Sequence, residues 1–251
     1  MNTQIKNLWP ACIIFLAISI TIEFFVRIFN VPSYLFPAPS IIINEAVHFK
    51  NLIISNSFVT GVEAILGFLL GSITGVGIAI LFVHSKLLER SIYPYTIALQ
   101  TVPVIAIAPL LIVWFGGGII TKVLISGLIC FFPVTVNTVK GFRSINPEAF
   151  DFFYTLNASK KQIFVLLRFP SALPYIFSAL RISATTSIIG AIVAEFTAPD
   201  KGLGSMILIA SYRLETIRMF IGIFATAVLG GLFFVTVVLL EKLVIPWHKQ
   251  R

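Results

Sequence analysis

Six apolar runs, each about 20 residues or longer, divide this chain, and a run of that length crosses a bilayer as a helix. They fall at about 9–29, 58–83, 92–114, 119–139, 174–196 and 219–245. Of the 251 residues, 58% are hydrophobic and 11% are charged, against roughly 25% charged in soluble domains. The predicted fold class is an all-α integral membrane protein of about six transmembrane helices. Lys6 precedes the first run, but that run is long for the core of a signal peptide, and no small-residue cleavage site stands out. It reads as the first membrane helix. Gly116, Gly117 and Gly118 leave the third and fourth runs joined by a tight turn at one membrane face.

The net charge is +8, yet the basic residues sit in the links between runs. They do not gather on one soluble face, as nucleic-acid binding requires, so their placement reads as topology. With a cytoplasmic N-terminus, Lys6, Lys86, Arg90, Lys140, Arg143, Lys160, Lys161, Arg168, Lys242, Lys249 and Arg251 fall inside. Arg27, Lys50, Lys122, Lys201, Arg213 and Arg218 fall outside, and Arg181 lies within a span. The inside excess predicts a multi-pass protein with both termini in the cytoplasm. Cys12 and Cys130 lie in apolar runs and read as small hydrophobes. The histidines His48, His84 and His248 fall in loops or ends, with no metal-ligand spacing. Neither a P-loop nor paired catalytic groups are found, so the sequence reads as a non-enzyme without cofactor or metal.

The first outer loop holds Pro32, Pro37 and Pro39, which keep it extended. Ser40 is then expected to cap a short surface helix over 41–48.

Residues 141–173 are a polar and basic island between two apolar runs. Asn146 is a good N-cap, and Pro147 suits the first helical position. Glu148 and Asp151 favour the positive end of that helix. Phe150, Phe153 and Tyr154 share one face at helical spacing. Asn157 permits the left-handed turn that ends a helix, and Ser159 with Gln162 forms a capping box for a second one. Lys160, Lys161 and Arg168 make that second helix basic. Pro170 is expected to stop it, and Pro174 shortly precedes the next span. A long structured loop is usually functional, and two capped helices exceed what lying on anionic headgroups requires.

The hairpin resembles the cytoplasmic "EAA" loop of the permease subunits of binding-protein-dependent ABC importers. That pattern is Glu-Ala-Ala, a short gap, Gly, and further on Leu-Pro with a second Pro behind. Asp151, Phe152 and Phe153 stand at the first three positions, Asn157 at the Gly, Phe169 and Pro170 at the Leu-Pro, with Pro174 following. The acid is shortened, both alanines are phenylalanines, and Gly has become Asn. The resemblance covers roughly 35 to 248. LLERSIYPYTIALQTVPVIAIAPLLIVWFG and IIGAIVAEF are similar to the nitrate, sulfonate and taurine branch, which includes permeases for thiamine-precursor pyrimidines and riboflavin. TVPVIAIAPLLIVWFG and YRLETIRMF resemble that vitamin-precursor sub-branch.

The resemblance implies a type I importer permease fold in a bacterial inner membrane. Its first part, 1–57, would be a first helix and a periplasmic amphipathic segment. Its second, 58–248, would be the permease domain with the 141–173 loop. It implies coupling to cytoplasmic ABC ATPases, which bind the ATP, through Glu148, Asp151, Phe153, Asn157, Ala158, Ser159, Lys160, Lys161, Arg168 and Pro170. It also implies a periplasmic or lipid-anchored solute-binding protein and a second permease copy, as a homodimer. The rival class is a secondary transporter, whose folds commonly show internal repeats. None is visible here.

Three further features bear on transport. Gly67, Gly71 and Gly75 recur every four residues, a spacing that brings two helices close, within one subunit or between two. Gln100 and Thr101 stand near Pro103 and Pro109, where a loosened helix leaves carbonyls tolerated only inside protein or along a cavity. They are candidates for the solute path or for bonding a neighbouring helix. Asn137 and Glu195 are further path candidates, with Glu195 expected at a pore or outer gate. Arg181 is expected to snorkel to headgroups.

Overall fold

The computed structural model describes residues 9–247, the side chain of Ala11 excepted, and the described residues form helices without strands. Lys6, His248, Lys249 and Arg251, used above for topology, lie outside them. The helices are α1 (Trp9–Ile28), α2 (Pro39–His48), α3 (Lys50–His84), α4 (Lys86–Leu99), α5 (Val104–Phe115), α6 (Ile119–Arg143) and α7 (Pro147–Thr155). They continue as α8 (Lys160–Ile163), a π-helical turn at Phe164–Arg168, α9 (Phe169–Thr197), α10 (Leu203–Tyr212) and α11 (Thr216–Val244). Among the described residues, four helices are long and apolar enough to cross a bilayer: α3, α6, the unbroken Lys160–Thr197 run and α11. A fifth span arises if α4 and α5 count as one. α1, at 20 residues, has the length of a span.

Two expectations about continuity are corrected. The third apolar run is not one continuous helix, because α4 and α5 are bent by 100° about residues 100–103. Pro103 lacks the N–H that would continue the ladder, and it biases Val102 away from helical geometry. Conversely, Pro170 does not stop the second hairpin helix, which runs 38 residues from Lys160 to Thr197. The π turn lies directly ahead of Pro170, with Phe169 N–H bonding Phe164 O. A wider turn gives the proline ring room where a regular one would clash.

α6 is the centre of the bundle, with α3 on one side and α9 on the other. A Cβ on Gly67 would overlap Ser126, and one on Gly71 would overlap the Gly127 carbonyl and stand 2.8 Å from Cys130 Cβ. At Gly75 it would come 3.0 Å from Phe131 O. The small-residue stripe therefore seats α3 against α6 of the same chain. On the other flank, Ser126 Oγ donates to Ser187 O at 2.9 Å, and a Cβ on Gly190 would lie 2.7 Å from Ser126 Cα. In lipid, helix pairing depends on such backbone approach, because lipid tails are as apolar as leucine. At one end, Ala79, Phe82, Val139, Phe142, Ala172 and Ile176 close the core beneath the hairpin. At the far end, Ala108, Leu111, Ile125 and Ala194 pack α5 onto α6 and α9.

α2 begins at Pro39, with Ala38 at its N-cap and no side-chain cap. Ser40 instead donates its hydroxyl to Glu23 Oε1 at 2.7 Å and its N–H to Glu23 Oε2 at 3.0 Å. This ties the loop to α1, in place of the expected cap.

Gly71→Ala is expected to destabilise the detergent-solubilised protein by about 1–3 kcal/mol, as overpacking does. Gly77→Ala, in the same helix with nothing within 4 Å of its added Cβ, is expected to be neutral or to add up to about 1 kcal/mol through helix propensity. Thermal unfolding of the two variants checks the pair.

Candidate functional site

The hairpin has the predicted local chemistry. Asn146 Oδ1 accepts from Glu148 N–H at 3.1 Å and starts α7. Asn157 closes the turn with φ of 54°, the left-handed conformation that Gly or Asn adopts. Ser159 and Gln162 bond reciprocally, at 2.8 Å and 3.3 Å, and start α8. Two caps and one left-handed residue thus fix both helix ends without help from the rest of the bundle. Glu148, Asp151, Lys160 and Lys161 are exposed and Ala158 is half-buried.

The expected aromatic face divides in two. Phe150 and Phe153 are half-buried, and Phe150 receives the Arg168 guanidinium 5.7 Å from its ring centre. Tyr154 turns outward with Phe152 and Leu156; these three are 76%, 60% and 62% exposed. They leave large apolar side chains exposed on the hairpin.

Aromatic rings fasten the hairpin to the bundle. Phe164, the first residue of the π turn, stands 4.9 Å from the His84 ring, 5.6 Å from Phe142 and 6.3 Å from Phe169. Arg143, the last residue of α6, pairs with Glu89 of α4 and lies 5.4 Å from the Tyr93 ring. A cavity of about 320 Å³ opens between α7 and this root, with Arg143, Asp151 and Arg168 on its wall.

Gln100 and Thr101 lie in the break between α4 and α5, both exposed. Thr101 Oγ donates to Ala98 O at 2.7 Å, and Thr101 N–H reaches the same carbonyl at 3.1 Å. The break is therefore tightened by a local turn, with the Gln100 side chain left outward. Asn137 sits elsewhere, on α6, half-buried and donating to Pro133 O at 2.8 Å.

Glu195 is not open to a path within this chain, which corrects the expectation above. It is fully buried. Its Oε1 accepts from Thr60 Oγ at 2.6 Å, and its Oε2 accepts from Gly204 N–H at 2.5 Å and Ser205 N–H at 3.2 Å. The carboxylate caps α10, where the helix dipole favours negative charge. Gly202, at φ of 117°, brings the backbone against it, and a Cβ there would overlap the carboxylate. Thr60 also accepts from Leu203 N–H at 2.8 Å, and Asn56 Oδ1 from Gly202 N–H at 2.9 Å. One buried acid thus joins α3, α9 and α10 at the end opposite the hairpin.

Two ion pairs were not legible in the sequence. Lys122, expected in an outer loop, is buried near the start of α6 and meets Glu63 Oε1 at 2.9 Å, with side chains 5% and 3% exposed. Lys122 Nζ also donates to Lys201 O at 3.3 Å. Arg181, expected to snorkel, lies 3.3 Å from Glu241 of α11. Their partners are 59 and 60 residues away in sequence. The only available signal was the presence of an acid in another apolar run, since charges at membrane depth usually pair with one another.

Residues 67–246 match the family described as binding-protein-dependent transport system inner membrane component. The chain is 34% identical over its whole length to the formylaminopyrimidine transport permease protein ThiX of Halalkalibacterium halodurans, whose whole length is also covered. It is 31% identical to the riboflavin transport system permease protein RibX of Chloroflexus aurantiacus, over 96% of this chain and 91% of that one. It is 36% identical to an aliphatic sulfonates permease of Bacillus subtilis, over 80% of this chain and 75% of that one. Among solved structures it resembles an amino acid ABC transporter, with a TM-score of 0.64 at 19% identity, over 81% of this chain and 97% of the other. That last likeness concerns the fold.

Lys122→Met is expected to cost about 3–5 kcal/mol, because it strands the buried Glu63. The double variant Lys122→Met with Glu63→Leu is expected to recover most of that loss. Thermal unfolding in detergent reads both.

Proposed function

The chain belongs to the binding-protein-dependent transport system inner membrane components, and from that premise we propose how it works as the permease subunit of an ABC importer. Two copies enclose the pore. Cytoplasmic ATPases bind and hydrolyse the ATP, and a periplasmic or lipid-anchored binding protein delivers the solute. The hairpin and both termini face the cytoplasm of a bacterial cell. A first transmembrane helix and a periplasmic amphipathic segment precede the permease domain, whose start moves from residue 58 to the beginning of α3, because Lys50–His84 is one continuous helix.

One observation carries the coupling role: α7 is capped by Asn146 and tied through left-handed Asn157 and the Ser159–Gln162 box to the unbroken run that continues into α9, so force on the hairpin passes into the bundle. The ATPase docks on the hairpin through the exposed Phe152, Tyr154 and Leu156 and the charges of Glu148, Asp151, Lys160 and Lys161. Phe153, Arg168 and Pro170 stand behind it. ATP-driven closure swings the hairpin as a lever and switches access between the two membrane faces. Gln100 and Thr101 contribute to the solute path. Glu195 braces the outer end, and Asn137 stands further along the interior.

The substrate is a thiamine-precursor pyrimidine. The full-length likeness to a formylaminopyrimidine permease supports this reading, and the similar coverage of a riboflavin permease supports riboflavin as the second. Sulfonates, taurine or nitrate stand behind both.

Asn157→Pro, or reversal of Lys160 and Lys161 to Glu, is expected to abolish solute-stimulated ATP hydrolysis by the reconstituted importer while membrane insertion continues. Normal stimulation would refute the lever. Binding of formylaminopyrimidine, riboflavin and taurine to the partner binding protein decides the substrate, and tight binding of taurine alone would overturn the pyrimidine reading.

A further inference from the structure

We infer that Glu89 is a positioning residue that carries hairpin movement to the solute-path break, through Arg143. This rests on the coupling role proposed above. Arg143 closes α6 and stands three residues before Asn146, the cap that begins the hairpin. Its guanidinium pairs with Glu89 and lies 5.4 Å from the Tyr93 ring, both on α4. Among the described residues, this is the only ion pair between the hairpin root and the bent α4–α5 segment.

α4 is otherwise lightly held. Nearly all of its side chains are exposed or half-buried, with Thr96 alone buried. Tyr93 meets Phe82 of α3 with ring centres 5.9 Å apart. The ion pair thus grips the helix at two successive turns, Glu89 and Tyr93. From Glu89 to Leu99 the helix runs about 15 Å and ends at residues 100–103. A tilt of the hairpin that shifts Arg143 pulls on Glu89 and re-aims Gln100 and Thr101.

The pair is open to water on the Arg143 side, with side chains 55% and 20% accessible, and pairs open to water add little to stability. Its loss therefore shows in coupling more than in folding. A physical link between two moving parts also requires that both partners be exchangeable as a pair.

The experiment uses the complete importer in proteoliposomes, with its ATPase and binding protein. It compares the wild type with Glu89→Gln, Glu89→Arg, Arg143→Glu and the exchanged pair Glu89→Arg with Arg143→Glu. The readouts are solute moved per ATP hydrolysed, co-purification of the ATPase and thermal unfolding. Each single reversal is expected to lower solute moved per ATP about tenfold, a usual size for coupling between sites. Glu89→Gln falls in the same direction by less, and the exchanged pair recovers most of the loss. ATPase co-purification and unfolding stay as in the wild type. Unchanged coupling in the single variants, or an exchanged pair no better than either, would overturn the link alone. A wild-type importer whose ATPase does not respond to loaded binding protein would overturn the lever, and the link with it.

Discussion

The close seating of α3 on α6 is the contact on which the other features depend. Gly67, Gly71 and Gly75 let the backbones meet where any Cβ would intrude on Ser126, Gly127, Cys130 or Phe131. Without water, burial of apolar surface cannot drive helices together, so packing and buried polar contacts must. That approach brings Glu63 to Lys122 and Thr60 to Glu195. Were the helices further apart by the thickness of one side chain, the buried lysine would lose its carboxylate. Charge burial in the bilayer is thus made tolerable by glycine.

A rigid centre follows, with mobile parts around it. α3, α6 and α9 interlock through small residues and backbone-directed hydroxyls such as Ser126 to Ser187. α4 lies outside that core, α5 packs on it through Ala108 and Leu111, the two break at 100–103, and the hairpin projects from one end. The parts proposed to move are those with few buried side chains, the low-stability end of any fold. Glu195 and Thr60 join α3 and α9 to α10 at the opposite end.

Local chemistry was legible in the sequence and distant pairing was not. Asn146, Asn157, Ser159 and Gln162 act on neighbours within a few positions, and their roles could be read directly from spacing. The glycine stripe was visible as a pattern, but its partner helix was not. Pro103 signalled a disturbance that became a 100° break, whereas Pro170 signalled a stop that a π turn absorbed. The pairing of Lys122 with Glu63 and of Arg181 with Glu241 is not legible in spacing, because a charge's partner depends on which helices meet. Glu195 is expected at a pore or outer gate from its position, but its donors are Thr60 of α3 and the first residues of α10, which only tertiary structure brings near. Phe150, Phe153 and Tyr154 share a face by spacing, yet Tyr154 is exposed, because burial depends on what packs against that face.

The central claim is that the capped hairpin is the handle gripped by a nucleotide-driven partner. Site-directed cross-linking in inside-out membrane vesicles tests it most directly. A Ser159→Cys variant, treated with a short bifunctional reagent, is expected to join the ATPase subunit, while a Leu214→Cys variant, at the opposite end of the bundle, is not. Cross-linking of the ATPase at Leu214→Cys, with none at Ser159→Cys, would contradict the account.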